Sequence, residues 1–313
     1  MGRALEGRTP SLPARWFWDE EGARIHRMRT GLASHYPARI ERELYASHAP
    51  MLVGLFEPQE VADLAPATSR HVRALVSAML VHVSGARCAL LDAEPLRLGA
   101  AVRRLAADYP RLDVRGAVGD CFGASWRLGR GGGRLLLLTG SGPDGLDPTT
   151  LTGLLRRLAR RLEPDDALVL GVDLGADPAG LVGVCQDEEG LAAAFHRNGL
   201  RVINARLGAD FDPGAFAYEA AWDAARGWVE TRLRPRRAFD VAVPGAGVVV
   251  AFDPSRPLVT GRVGTWTRAA LRERAAGAGL ALKAWLTDPE ERRALVVLQP
   301  QGRGVVTASD FDI

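Results

Sequence analysis

Hydrophobic and polar positions alternate between two rhythms along most of the chain. Short apolar runs are followed by segments with a helical period, beginning near residue 59. EVADLA, with its apolar stretch Val61 to Leu64, predicts a strand, and HVRALVSAML a helix. CALLDA (88–93) predicts a second strand, followed by the helical EPLRLGAAVRRLAADYP, and LDVRGAVGD (112–120) a third. RLLLLTGS (134–141) is nearly all apolar, as a strand covered on both faces must be. LTGLLRRLARRL then puts apolar residues on one face and arginines on the other, and ALVLGVDL (167–174) reads as a fifth strand. Strands alternating with helices predict a parallel, doubly wound α/β sheet with right-handed crossovers.

The rhythm then breaks. Residues 175–235 read as mainly helical, and AFDVAVPGAGVVVAF (238–252) as an antiparallel hairpin turned at Pro244–Gly247. The alternation resumes with the helix TRAALRERAAGAG (267–279) and the strands ALKAWLTD and RALVVLQP. These patterns predict a five-strand start and a two-strand finish of one sheet. Residues 40–174 and 266–313 would form that domain, and residues 1–39 and 175–265 a second, inserted α+β domain. Residues 1–14 are polar and read as a mobile lead-in, and residues 16–48 as short helices and turns. GRGGGR (129–134) precedes a strand and caps no helix, which marks a surface loop instead of a phosphate cradle.

Composition narrows the partners. Forty basic and 37 acidic residues leave a net charge of +3, which gives no case for nucleic acid or a membrane surface as the main partner; the expected partner is a small-molecule substrate. Only one basic residue is a lysine, Lys283, so the arginine content reflects a coding bias more than a binding surface. Three scattered cysteines, Cys88, Cys121 and Cys185, offer neither a metal spacing nor a disulfide framework, and no metal is expected. There is no signal-like apolar segment at the start and no spanning run, so a cytoplasmic monomer or homodimer is expected.

In doubly wound folds ligands lie beyond the carboxyl ends of the strands. Asp92 closes the second strand, where an acid can accept both hydroxyls of a ribose; it can equally cap the helix that follows. Asp120, with Cys121 and Phe122, closes the third strand, where an acid can meet an adenine amine or remain a solvated loop residue. Thr139, Gly140 and Ser141 close the fourth, where small residues let a backbone approach a ligand. No GxGxxG follows the first strand, so an adenosyl ligand is favoured over a dinucleotide.

These segments, taken in order, resemble the histidine-specific Nα-methyltransferases of ergothioneine biosynthesis. SLPARWFWDEEG, HYPARIERE, LLTGSGPDGLDP, ALVLGVDLGADP, EEGLAAAFHRN, INARLGADFDPGAF, WVETRL and AWLTDP carry the resemblance from about residue 11 to 299. It implies a class I (Rossmann-like) methyltransferase sheet, S-adenosyl-L-methionine as cofactor, S-adenosyl-L-homocysteine as product, and a second domain covering the substrate. It also implies that Asp63, Ala65, Ala67, Thr68 and His35 lie on the cofactor side. Trp18, His26, His196, Asn198, Gly261 and Val263 would lie on the substrate side.

The departures from the family pattern matter most. Its Glu-Leu-Gly-Ser-Gly turn reads Asp63-Leu64-Ala65-Pro66-Ala67 here. A turn residue that needs a positive φ costs a non-glycine residue about 1–2 kcal/mol, although Asp63 still suits a donor's ammonium. Histidines stand where the family has Phe (His26), Tyr (His35) and Asn (His196), and Gly145 stands for the Asn of the fourth-strand turn. The stretch whose Glu and Ser hold the histidine substrate reads Thr260-Gly261-Arg262-Val263-Gly264-Thr265-Trp266. Hydrogen bonds to charged groups are worth about 1.5–3 kcal/mol each, so histidine itself is not the expected acceptor. Two readings follow. One is a methyltransferase for another amino-acid-like or small amine, with His196 or His35 as base. The other is a catalytically inactive relative that serves as partner or ligand sensor.

Overall fold

The structure is a computed structural model that describes residues 1–64, 71–119, 121, 133–138, 145–146 and 148–302. In chain order its elements are α1 (Gly2–Glu6), α2 (Glu20–Thr30), α3 (Tyr36–Phe56), β1 (Glu60–Asp63), α4 (Val72–His82), β2 (Arg87–Asp92), α5 (Pro95–Asp108) and β3 (Asp113–Val118). Then come β4 (Arg134–Leu138), α6 (Pro148–Ala159), β5 (Ala167–Asp173), α7 (Pro178–Gln186), α8 (Leu191–Leu207), β6 (Phe216–Asp223) and β7 (Trp228–Pro235). The last are β8 (Phe239–Val243), β9 (Val248–Phe252), β10 (Leu258–Gly264), α9 (Arg268–Gly277), β11 (Leu280–Thr287) and β12 (Arg293–Pro300). The chain divides into two compact units: Met1–Tyr36 with Asp177–Val263, and Pro37–Ala176 with Gly264–Ile313.

The second of these is the sheet unit. Its strands run in the order β11-β12-β5-β4-β1-β2-β3. The five strands from β5 to β3 are mutually parallel, while β12 runs antiparallel to β5 and β11 antiparallel to β12. This is the doubly wound α/β class, with the five-plus-two arrangement that the apolar rhythm predicts. β4 and β5 are buried along their whole lengths, which explains their unbroken runs of Leu and Val. α6 turns Leu151, Leu154, Leu155 and Leu158 into that core, at the spacing of one helical face.

Two buried arginines fix opposite ends of this sheet. At the amino end of β4, Asp166 accepts from the Arg134 backbone N at 2.9 Å and from its Nε at 3.0 Å. At the carboxyl end of β5, Arg293 is 2% exposed. One guanidinium nitrogen donates to Glu41 of α3 at 3.1 Å, and the other lies 3.7 Å from Asp173. Glu41 and Asp173 are themselves buried, so the arginine offsets part of the cost of two interior carboxylates.

The other unit departs from the sequence expectation. The segment 175–235 holds the helices α7 and α8, but its second part is not helical: β6 and β7 form an antiparallel pair, joined by β10 into a sheet ordered β10-β7-β6. The sequence WVETRLRP alternates half-buried and buried residues along β7, a period of two that only a strand makes useful. β8 and β9 form a separate two-stranded hairpin, with Gly247 in the left-handed conformation (φ 67°) at its turn.

The lead-in 1–14 is also not a loose tail. Leu5 and Leu12 are buried in this unit's core with Phe17, Phe195 and Phe216. The Leu12 N donates to Val259 O at 2.8 Å, and the Val259 N donates to Pro10 O at 2.9 Å. Likewise the stretch 36–56 is one long helix, with Pro50 inside it. Gly22 has a specific reason to lack a side chain: a Cβ there would sit 1.8 Å from the Phe17 carbonyl oxygen.

Arg293→Met should lower stability in urea by about 3–5 kcal/mol, because Glu41 and Asp173, both buried, would lose the guanidinium they share. Adding Glu41→Gln should recover part of that loss. Gly22→Ala should cost about 1–3 kcal/mol by forcing the Phe17 backbone aside, read from the same titration.

Candidate active site

On the sheet unit the carboxyl ends of adjacent strands β1 and β2 each carry an acid, Asp63 and Asp92, and both are buried. An ammonium only donates hydrogen bonds and each ribose hydroxyl can donate one, so two buried carboxylates suit a ligand that carries both groups. Asp63 Oδ2 lies 2.9 Å from Nε2 of His71, which precedes α4. The Tyr45 ring of α3 stacks on that imidazole at 5.4 Å and 29°. Burial opposes the charged form of His71, but Asp63, and Glu41 behind it, outweigh that cost and raise its pKa above the ordinary value.

Asp92 is also engaged. Its Oδ1 accepts the Glu94 backbone N at 2.9 Å, and its Oδ2 accepts Arg97 Nε at 2.6 Å. A second guanidinium nitrogen of Arg97 donates to Oδ1. The cap of α5 is Glu94, whose carboxylate accepts from Leu96 N at 3.4 Å. Asp92 thus braces the turn one step ahead of the helix. Cys121 is buried in the sheet core. The expected cofactor residues Ala65, Ala67, Thr68, Asp120, Thr139, Gly140 and Ser141, and Phe122, lie outside the described residues.

In the other unit, four of the expected substrate-side residues share one neighbourhood, centred on α8. The Phe195 ring contacts Trp18 at 5.3 Å, His26 at 5.9 Å and His196 at 5.7 Å. Trp18 meets His26 edge-on at 4.9 Å. His196 stacks face to face on Tyr218 of β6, with centroids 4.8 Å apart and planes 19° from parallel. It is buried, and its Nδ1 has no hydrogen-bond partner among the described residues. Burial, aided by the positive charge of Arg29, lowers its pKa to about 3. The imidazole is therefore neutral near pH 7, and it is too weak a base to take a proton from an ammonium. Tyr218 is held in place by its hydroxyl, which donates to the Cys185 carbonyl at 2.6 Å.

Gly261 faces the same ring. A Cβ on it would lie 3.9 Å from His196 Cε1 and 3.0 Å from Thr231 Oγ1. Val263, two residues on along β10, shares the face of Gly261. Arg262 takes the other face, where it pairs with Glu230 at 3.1 Å and lies over Trp228 at 5.1 Å. Asn198 is buried, and its amide donates to Asp19 at 2.7 Å, so it ties α8 to the cap of α2. His35 lies half-buried in the turn before α3, its backbone N donating to Leu32 O at 3.1 Å.

Sequence reasoning missed three of these groups. His71 carries no signal beyond standing at the start of a helix, and Arg97 is one arginine on a helix in an arginine-rich chain. Tyr218 sits in a segment read as helical. Among the described residues no three His, Cys, Asp or Glu side chains cluster in a way that could hold a metal ion, and no helix is long and apolar enough to cross a membrane.

Sequence comparison finds relatives along almost the whole chain. The profile of a family described as histidine-specific, S-adenosylmethionine-dependent methyltransferases matches residues 2–300. The histidine N-alpha-methyltransferase of Mycobacterium tuberculosis is 32% identical over 282 residues, 90% of this chain and 88% of that protein. That of Mycolicibacterium smegmatis is 31% identical over 279 residues, 89% of this chain and 87% of that protein. Among solved structures, the CcbJ methyltransferase from Streptomyces caelestis aligns with a TM-score of 0.48 at 15% identity, over 82% of this chain and 90% of that one. The match to the profile spans almost the whole chain, and the two curated relatives each align over about nine-tenths of it: this chain belongs to the histidine-specific, S-adenosylmethionine-dependent methyltransferase family.

Proposed function

We propose that the protein methylates the nitrogen of a small amino-acid-like amine other than histidine. One observation carries this reading: two departures from the family pattern, Gly261 and His196, face each other. The space released by the lost carboxylate at 261 is bordered by an imidazole whose Nδ1 is buried and has no partner among the described residues. That supports a wall rebuilt around a different acceptor instead of one merely stripped. A neutral ring, an unsubstituted glycine and the Val263 side chain suit an apolar or bulkier acceptor group, with one hydrogen bond available from Nδ1.

S-adenosylmethionine, when bound, supplies a methyl group on a sulfonium. The chain supplies the rest. Asp92 would accept from the ribose hydroxyls and Asp63 would hold the ammonium. Trp18, Phe195 and Tyr218 shape an aromatic wall that excludes water and orients the amine. His196 contributes a hydrogen bond, and the removal of the amine's proton falls to His35. A second reading, an inactive relative, is favoured by the ion pairs that already engage Asp63 and Asp92.

Calorimetry with S-adenosylhomocysteine separates the two. The methyltransferase reading expects saturable binding that Asp92→Asn abolishes without unfolding the chain; no binding by the parent would leave the inactive reading. The parent should not methylate histidine. Gly261→Glu alone should not confer that activity, because its side chain would crowd Thr231 and His196. Gly261→Glu with Val263→Ser and His196→Asn should bring measurable histidine binding. Histidine turnover by the parent at a rate matching its best amine would sink the acceptor assignment.

The depressed pKa of His196 also sets a pH dependence. The unfolded chain takes up a proton below the ordinary histidine value of about 6.5, whereas the native ring does not until about pH 3. Stability contributed by the neutral ring is therefore whole above about pH 6.5 and falls as acid is added through that window. Between pH 7 and pH 4.5 the loss should be roughly 2–3 kcal/mol from this residue. His196→Asn should flatten that limb in urea titrations at the two pH values.

A further inference from the structure

We infer that Arg97 is a latch on the donor site, competing with the ribose for Asp92 and thereby setting how tightly the methyl donor binds. This rests on the reading that Asp92 takes the ribose hydroxyls, and it adds a residue and a direction of effect that the reading alone does not contain.

A carboxylate has about four lone-pair positions. On Asp92 three are taken: Oδ1 accepts from Glu94 N and from one guanidinium nitrogen of Arg97, and Oδ2 accepts from Arg97 Nε at 2.6 Å. A vicinal diol donates two hydrogen bonds. It cannot do so while both prongs of Arg97 remain in place, so at least one charge-assisted bond must break for each ribose that docks. The Glu94 bond belongs to the backbone turn and stays.

The position of Arg97 points the same way. It is the third residue of α5, in the first turn, where the helix dipole disfavours a cation and favours an acid. Side chains there lean back over the turn that precedes the helix. The arginine is thus set against the helix dipole and held there by Asp92, with both side chains mostly buried. A surface arginine free to choose would point away. When a ribose docks, the guanidinium gives up Asp92, and the pair closes again when the nucleoside leaves.

The test uses the full chain and three variants, with affinities measured by calorimetry. Arg97→Met keeps the stem and removes the donors. It should tighten S-adenosylhomocysteine about tenfold, and Arg97→Lys, which keeps the charge without the two-pronged geometry, should fall between. The same gain should appear with adenosine and be absent with 2′,3′-dideoxyadenosine, which has no hydroxyls to compete; a merely structural role for Arg97 would move both nucleosides alike. Thermal unfolding of each variant, without ligand, checks that the fold is intact. Affinity for S-adenosylhomocysteine that is unchanged or weaker in Arg97→Met, with Asp92→Asn still abolishing binding, would overturn the latch and leave the ribose assignment standing. Undiminished binding by Asp92→Asn would overturn the ribose assignment itself, and the latch with it.

Discussion

Parallel strands that end on acids create a difficulty that organises the whole sheet unit. A ligand site at the carboxyl edge needs buried acceptors, and buried carboxylates need counter-charges. Asp63, Asp92 and Asp173 end β1, β2 and β5, and each meets a basic side chain: His71, Arg97 and Arg293. These basic groups come from different elements. His71 precedes α4, Arg97 lies in the first turn of α5, and Arg293 opens the antiparallel strand β12. Glu41 brings α3 into the same network through Arg293 and lies close enough to raise the His71 pKa. The helix that carries Glu41 also carries Tyr45, which covers the His71 ring. The edge is therefore a chain of alternating charges, and its stability and its availability to a ligand are the same question.

The three pairs answer that question differently. Arg293 bridges two carboxylates, Glu41 and Asp173, and is almost fully buried, so releasing it would leave two anions in the interior. It is structural. His71 lies against Asp63 and, unlike an arginine, can lose its proton, so its grip on Asp63 weakens as pH rises through its raised pKa. Arg97 grips Asp92 from the first turn of its helix and keeps some contact with solvent, and under the latch proposal it is the pair that a ribose opens.

Much of this was legible in the sequence, for reasons tied to particular residues. The run RLLLLTGS and the leucine face of α6 reveal a sheet covered on both sides, and Asp92 stands out as an acid closing an apolar strand. β6 and β7 were harder. FAYEAAWD is rich in alanine, which favours helix, and its strand character comes from pairing with β7. The period of two in WVETRLRP was available as a signal and points correctly to a strand. The lead-in was misread because its two core residues, Leu5 and Leu12, are sparse among polar ones, and a segment of that kind acquires its place only from partners such as Val259, far along the chain. Arg97 and His71 could not be singled out, because a cation next to a helix start becomes meaningful only when the carboxylate opposite it is known.

The acceptor side teaches a different lesson about reading substitutions. In sequence, Gly261 and Val263 look like losses and His196 like an unrelated change. In space, Gly261 and His196 are neighbours, and Tyr218, Phe17 and Phe195 hold the imidazole on several sides. A side chain packed so closely is not a relic of drift on an exposed wall, because an interior ring with an unpaired nitrogen costs free energy that an apolar replacement would avoid. Phe or Leu at 196 would fill the same space without that cost. Among the described residues nothing pairs with Nδ1, and under the proposed function the acceptor does. On that reading, a neutral imidazole that offers one hydrogen bond stands beside the position where the family pattern has a carboxylate.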